Sequence, residues 1–230
     1  MKKMMSLFVA MVLVLSMYAY AEEKLTVANE NLVVFSGDDT GYFYAKVIND
    51  TGLPVGVDSG ALVIFSTDDE IVLAEDYVYT APSYVILQPG DYLYIYKYLW
   101  DDALLDSEIG DYKFSIPIGN SSTEIVKVPC EATMDLKGVG SYDNYVYITF
   151  NNNTGEQVFE PYFVVAIYDQ NENIVFTAYH SLTDVIVNEN SSVTVRCYVG
   201  DEFMEHYATN NIIPTSIDAY VTYEKDVSGK

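Results

Sequence analysis

Short runs of alternating apolar and polar residues, separated by turn-forming residues, recur along the chain. The clearest run, Tyr92 to Trp100, alternates Tyr or Trp with Leu, Ile and Lys. A two-residue period is typical of β-strands, because successive side chains point to opposite faces of a sheet. Clusters such as Asn49 to Gly52 and Gln88 to Asp91 end these runs. No stretch sustains the period of an α-helix, so Leu104 to Asp111 and Phe203 to Tyr207 are predicted to form one helical turn at most.

The chain contains two copies of one pattern. Segments within residues 42–72 recur within residues 145–175, at a shared offset of 103. Residues 85–99 then continue onto residues 185–199 at an offset of 100. Each copy therefore has the size of a common single domain, about 100 residues.

The copies are predicted to meet near Gly119 to Ser122, a small polar cluster typical of a linker. We predict a signal peptide over residues 1–21, one β-sandwich domain over residues 22–120 and a second over residues 121–230. Several short strands bounded by turns indicate an all-β fold of two tandem immunoglobulin-like β-sandwich domains after a cleaved signal peptide. The 22 Tyr residues agree with this, because aromatic side chains fit a pleated surface.

The second copy resembles a family of bacterial exported domains. Its first strand ends in Asn151-Asn-Asn-Thr-Gly155, and Val165-Ala166-Ile167-Tyr168-Asp169, a hairpin and a closing strand follow. This arrangement resembles the FxLYD-type immunoglobulin-like domains. Tyr168 and Asp169 match the motif, but the family has Phe and Leu where Val165 and Ile167 stand, and the first copy ends this segment in Phe65-Ser66. The resemblance implies a non-catalytic extracytoplasmic module and carries over no catalytic residue.

The N-terminal residues have the pattern of an export signal. Lys2 and Lys3 precede an apolar stretch from Met4 to Met17, and Ala19-Tyr20-Ala21 provides a small-x-small cleavage site. A membrane-spanning helix needs about 20 apolar residues, so we expect cleavage before Glu22 and no membrane insertion afterwards. The predicted location is secreted or extracytoplasmic.

The charge balance excludes several classes of partner. The chain has 34 acidic and 11 basic residues, a net charge of -23. Without Lys2 and Lys3 the basic residues number 9 and the net charge is −25. Arg196 is the only arginine. Nucleic acid is therefore excluded as a partner, and anionic membranes are disfavoured, because both require a basic footprint.

The chain offers little catalytic or metal-binding chemistry. Cys130 and Cys197 are an even pair, which leaves two alternatives in an exported protein: one disulfide or two free thiols. His180 and His206 lie at no metal-ligand spacing from a cysteine. Both histidines occur in the second copy only, and no G-x-S-x-G nucleophile elbow is present. We predict no metal, no cofactor and no enzymatic activity.

Four Asn-x-Ser/Thr sequences begin at Asn49, Asn120, Asn152 and Asn190. Such sequences accept glycans in a eukaryotic secretory pathway. Because the export signal is of bacterial type, and because Asn49 and Asn152 hold equivalent positions in the two copies, we interpret them as Asn-rich turns.

The run from Tyr92 to Trp100 is the best candidate for a binding surface. Leu93, Ile95 and Leu99 share one side of the strand, and five aromatic residues share the other: Tyr92, Tyr94, Tyr96, Tyr98 and Trp100. At the equivalent positions the second copy has Ser192, Thr194, Arg196, Tyr198 and Gly200, so that only Tyr198 is aromatic. A face that accepts Ser, Thr and Arg is the outer one, because burying those groups unpaired is costly.

An exposed row of aromatic rings suits a sugar ring or another apolar plane. We therefore predict a secreted, non-catalytic binding or adhesion module whose partner is an extracellular glycan or protein. Two other interpretations stay open. Since cross-strand aromatic packing stabilises a sheet by itself, the row could pack against the second copy or a partner, as in a structural or accessory protein. A carbohydrate-active enzyme needs only two well-placed carboxylates, which 34 acidic residues leave open.

Acidic residues follow the aromatic row directly. Their carboxylates could hydrogen-bond a polyol or coordinate a hard cation such as calcium: Asp101, Asp102, Asp106, Glu108 and Asp111. Their spacing matches no known metal loop, and solvated turns are the simpler interpretation.

Overall fold

Seventeen β-strands and two short helices make up the part of the chain that the computed structural model describes, residues 25–35 and 37–225. For Asp106 only the backbone is described. The predicted signal peptide, residues 1–21, lies outside the described residues. The prediction of an all-β fold built from tandem β-sandwich domains is confirmed.

The strands occur in the same order in both repeats, except that the second repeat begins with one additional strand. The first repeat contains β1 (Thr26–Val34), β2 (Thr40–Ile48), β3 (Val55–Val57), β4 (Ser59–Ser66), β5 (Ile71–Ala81), β6 (Val85–Leu87), β7 (Tyr92–Trp100), α1 (Ala103–Asp106) and β8 (Ile109–Ser115). The second contains β9 (Thr123–Pro129), β10 (Glu131–Asp135), β11 (Tyr145–Asn151), β12 (Val158–Phe159), β13 (Tyr162–Asp169), β14 (Ile174–Ser181), β15 (Ile186–Val187), β16 (Ser192–Tyr198), α2 (Asp201–Asn210) and β17 (Pro214–Glu224).

Each repeat folds into two facing antiparallel sheets. The first repeat has β1-β2-β7 and β5-β4-β8, which join where the end of β5 pairs with β7. The second repeat has β10-β11-β16 and β14-β13-β17 in the corresponding order. Aromatic rings fill the space between the sheets: the ring centroids of Phe43 and Phe114 are 4.9 Å apart, and those of Phe150 and Phe163 are 6.5 Å apart. The buried apolar sides of the alternating strands therefore form the two cores.

The internal repeat is visible in strand bounds and in turn geometry. β4 and β13 are offset by 103 residues at both ends, and β7 and β16 begin 100 residues apart. The hairpins that follow β4 and β13 both contain a residue in the left-handed region, Asp69 with φ of 63° and Glu172 with φ of 65°. The two copies therefore share one backbone plan.

Asn49 and Asn152 stabilise the same turn in the two repeats, and both are fully buried. Asn49 Nδ2 donates to the carbonyl oxygens of Leu53 (2.7 Å) and Leu87 (2.8 Å), and its Oδ1 accepts from the Thr51 amide at 3.1 Å. Asn152 makes the equivalent bonds to Glu156, Val187 and Thr154. The interpretation of these two sites as Asn-rich turns is confirmed.

The repeats are joined by a shared sheet and by packing between faces. β9 pairs antiparallel with β17, and its first residues, Thr123 and Glu124, pair in parallel with β6 of the first repeat. The outer side of β7 packs on β13, β14 and β17 through Tyr94 and Tyr96. The main sheets of the two repeats therefore lie in successive layers.

The prediction of one helical turn at Phe203 to Tyr207 is wrong, since α2 has 10 residues. Asp201 lies in its first turn, where a negative charge interacts favourably with the helix dipole. Asn211 ends the helix in the left-handed conformation (φ 54°). Only Phe203, Met204 and Tyr207 of α2 are buried. An apolar stripe this short shows no periodicity in the sequence.

A disulfide between Cys130 and Cys197 is not formed, and both residues are free thiols. β10, which begins just after Cys130, and β16, which contains Cys197, lie on opposite sides of β11. With neighbouring strands about 4.8 Å apart, the two strands are about 10 Å apart. A disulfide requires Cα atoms within about 7 Å. Burial raises the pKa of Cys130 to about 12 and that of Cys197 to about 11.

No helix of the described residues is both long and apolar enough to cross a membrane.

Candidate functional site

The predicted aromatic row lies on the outer side of β7, opposite the buried residues Leu93, Ile95 and Leu99. Its five members have different surroundings. Tyr94 is fully buried, Tyr92 and Tyr96 are half-buried, and the last two are exposed: Tyr98 by 43% and Trp100 by 72%. The row is therefore divided into a covered part and an accessible part.

The second repeat covers the first part of the row. The hydroxyls of Tyr92 and Tyr94 both donate to Oδ2 of Asp218 on β17, at 2.5 Å and 2.6 Å. The Tyr94 hydroxyl also lies 2.6 Å from the Tyr168 hydroxyl on β13. Burial, followed by the hydrogen bond to Asp218, raises the pKa of Tyr92 and of Tyr94 above the usual range. Both hydroxyls therefore stay protonated and act as donors.

Tyr220 and Lys127 complete this contact. Tyr220 is buried, stacks on Tyr94 at 6.0 Å between ring centroids, and donates its hydroxyl to the Ala81 carbonyl oxygen at 2.9 Å. Lys127 Nζ lies 3.2 Å from the centroid of the Tyr92 ring and donates to Asp91 Oδ1 at 2.7 Å. Burial lowers the pKa of Lys127, while Asp91 opposes this shift. Tyr92 and Tyr94 thus hold the two repeats together.

The accessible part of the row begins where the second repeat no longer covers β7. Tyr98 packs beside Tyr42 of β2, with ring centroids 5.2 Å apart. Trp100 lies at the end of β7, and its indole Nε1 donates to Asp39. This hydrogen bond fixes the indole while leaving most of the side chain exposed.

Beside Tyr98, a cleft of about 380 Å³ opens between the repeats. We call it the aromatic cleft. The first repeat supplies Tyr42 and Tyr96, and the second supplies the remaining lining residues: Phe176, Ala178, Tyr179, Tyr198, Gly200, Glu202 and Phe203. Phe203 of α2 reaches across to Tyr42, with ring centroids 4.8 Å apart. Tyr96 and Tyr179 meet edge to face at 5.7 Å.

The aromatic cleft combines apolar ring faces with hydrogen-bonding groups. Burial raises the pKa of Tyr96 to about 12 and also raises that of Tyr42, so both hydroxyls are protonated at neutral pH. Tyr179 and Tyr198 are exposed by 48% and 44%. Glu202 is exposed at the N-terminal end of α2 and provides a carboxylate acceptor. Rings beside donors and acceptors are the groups that contact a sugar's apolar face and its hydroxyls.

The acidic residues after Trp100 form no described metal centre. Oδ1 of Asp101 accepts from the Ala103 amide at 2.8 Å, which places it at the start of α1. Nowhere among the described side chains do three or more Asp, Glu, His or Cys residues converge to hold a metal ion.

The sequence did not identify the aromatic cleft residues outside β7. Tyr42, Tyr179 and Glu202 come from two other strands and a helix, which only the packing between repeats brings together. Tyr198 carries a usable signal, because it occupies the position equivalent to Tyr98 at the offset of 100.

No protein-family model matches the chain, and no curated protein matches it. The resemblance to FxLYD-type domains therefore has no support beyond its own motif residues. Among solved structures, red sea bream transglutaminase is 10% identical with a TM-score of 0.27, covering 76% of this chain and 26% of that one. The N-terminal CBM22-1-CBM22-2 tandem domain of Xyn10C from Paenibacillus barcinonensis is 9% identical with a TM-score of 0.14, covering 91% and 90%. The chain spans about a quarter of the transglutaminase, and neither similarity carries an argument about function.

Proposed function

We propose that the protein is an exported, non-catalytic module that binds a neutral glycan through Tyr98, Trp100 and the adjoining aromatic cleft. The observation that carries this proposal is the exposure of Trp100 (72%) and Tyr98 (43%) next to an open cleft lined by further tyrosines. Exposed aromatic groups in a contiguous patch usually mark an interaction site.

Charge narrows the class of ligand. Asp39 and Glu202 adjoin the exposed rings, and the whole chain has a net charge of -23. An anionic polymer would be repelled at such a surface. A neutral polysaccharide offers hydroxyls to these carboxylates and to the tyrosine hydroxyls without a charge penalty. Export is proposed from the signal pattern of residues 1–21.

The test is binding to soluble neutral polysaccharides, namely β-glucan, galactomannan and arabinoxylan, measured by affinity electrophoresis and calorimetry. We expect the double variant Tyr98→Ala, Trp100→Ala to lose about tenfold or more in affinity for the polysaccharide that binds best. The control is Leu53→Ala, which removes another exposed apolar side chain, in a turn of the first repeat. This variant should bind the polysaccharide like the unmodified protein. Equal binding by all three proteins would refute the proposal.

A second function is favoured by the covered part of the aromatic row. Because Tyr92 and Tyr94 hold the repeats together, the protein could serve as a rigid accessory spacer whose exposed aromatic end contacts a partner protein. A defined complex with a co-exported protein, lost in the Tyr98→Ala, Trp100→Ala variant while no polysaccharide binds, would favour this function.

A further inference from the structure

A second recess with exposed aromatic walls lies between the repeats. It has a volume of about 670 Å³, within the usual range of ligand sites, about 300–1,000 Å³. We call it the second groove. Tyr84 comes from the loop before β6, Phe159 from β12 and Tyr162 from β13. Tyr84 and Phe159 are each 52% exposed. Neither ring is needed to fill a core.

The backbone at Tyr84 supports a role for its side chain. Tyr84 has φ of 60°, in the left-handed region that bulky residues rarely adopt. Its equivalent in the second repeat, at the offset of 100, is Asp184 with φ of 59°. Asp tolerates this conformation, since its short side chain can hydrogen-bond locally. In the first repeat, Tyr84 therefore adopts an unfavourable backbone conformation while its ring is exposed. Backbone strain of this kind is typical of binding sites.

The second groove adjoins the aromatic cleft. Tyr162, on the wall of the second groove, stacks on Tyr179 with ring centroids 5.3 Å apart and planes 13° apart. Tyr179 lines the aromatic cleft and meets Tyr96 there at 5.7 Å. Tyr42 links Tyr96 to Tyr98, with its ring centroid 5.8 Å from that of Tyr96 and 5.2 Å from that of Tyr98. A series of neighbouring rings therefore connects the second groove to Tyr98.

The charges at the second groove also favour a neutral ligand. Glu160 and Glu224 are exposed among its lining residues. The lining residue Lys225 is paired with Glu124, with Nζ 3.1 Å from Oε2. The carboxylates can accept hydroxyl hydrogen bonds, whereas an anionic polymer would be repelled.

We propose that the second groove is a further subsite for the same glycan, so that the ligand is an extended neutral polysaccharide chain rather than a short sugar. This inference rests on the proposed function. A polysaccharide that extends along Tyr84, Phe159, Tyr162 and Tyr179 to Tyr98 contacts both the second groove and the aromatic cleft. A mono- or disaccharide is too short to contact both. Each added aromatic contact should strengthen binding as the oligosaccharide lengthens.

The test compares oligosaccharides, from the disaccharide to the octasaccharide, prepared from whichever of β-glucan, galactomannan and arabinoxylan binds best. Calorimetry on the full mature chain should show affinity rising with length. The double variant Tyr84→Asn, Phe159→Ala should lose about tenfold for the octasaccharide and nothing for the disaccharide. Asn suits the left-handed backbone at position 84, so the fold is retained, and an unchanged melting temperature verifies this.

Three outcomes would overturn the inference and can be told apart. If this variant binds the octasaccharide like the unmodified protein while Tyr98→Ala, Trp100→Ala does not, the second groove is not a subsite and the proposed function stands. If the unmodified protein binds none of the glycans, both proposals fail. If the variant abolishes binding of an oligolysine peptide and leaves glycan binding unchanged, the second groove belongs to a cationic partner.

Discussion

Individual residues of the aromatic row have roles that their spacing alone does not distinguish. Tyr94 and Tyr98 occupy the same side of β7, yet Tyr94 is fully buried beside Asp218 and Tyr98 is 43% exposed. The Asp218 carboxylate accepts two tyrosine hydroxyls, so its negative charge is stabilised at the contact between repeats. Tyr94 is therefore a stability residue, and Tyr98 is free to contact a ligand.

Tyr94→Phe tests this division. The substitution removes the hydroxyl that donates to Asp218 and contacts Tyr168. We expect a loss of about 1–3 kcal/mol in the free energy of unfolding, because a buried polar network loses a member. Tyr98→Phe is the matched control and should stay within about 0.5 kcal/mol. Urea denaturation measures both, and equal stabilities would contradict the assignment.

At the scale of elements, the strands were predictable because their signals are local. The alternation of side chains along the sequence identified β7 and showed that Leu93 and Ile95 lie on its buried side. The repeat offset of 103 residues identified β4 and β13 as equivalent strands. α2 was missed because it buries only a few side chains, and part of what they contact belongs to the other repeat: Phe203 packs on Phe35 and Tyr42. The coverage of Tyr92 to Tyr96 depends on the approach of β13 and β17, which alternation does not encode.

The repeated turn gives a prediction for both copies. Asn49→Ala and Asn152→Ala should each cost about 2–4 kcal/mol of unfolding free energy, since each leaves a buried carbonyl oxygen, that of Leu87 or of Val187, without its donor. Asn153→Ala, at an exposed neighbouring position, should have little effect. Thermal and urea unfolding measure the three variants. A large cost in only one repeat would show that the turns are not equivalent.

At the scale of the whole molecule, the contact between repeats is rich in buried tyrosines. Burial raises the pKa of Tyr96 to about 12, and it also raises the pKa values of Tyr92, Tyr94 and Tyr220. Tyr96 of this contact also lines the aromatic cleft. Stability of this contact and the shape of the proposed binding surface are therefore linked.

These shifts predict alkaline destabilisation. An unfolded chain ionises its tyrosines near pH 10, whereas the folded protein keeps these hydroxyls protonated. The contribution of these tyrosines to stability is therefore fully present below about pH 10 and is lost as the pH rises through the folded pKa, about 12 for Tyr96. The tyrosinate absorbance of these buried tyrosines should appear together with the loss of the circular dichroism signal between these values. Full ionisation of the tyrosines near pH 10 with the fold intact would contradict the buried contact.

The most direct test of glycan binding uses Trp100, the only tryptophan in the chain. Because its side chain is 72% exposed, its fluorescence emission should be at the red end expected for an indole in water. Titration with β-glucan, galactomannan and arabinoxylan should produce a saturable blue shift with one of them. Emission that is already blue-shifted without ligand, or that responds to none of the three, would contradict glycan binding at this aromatic surface.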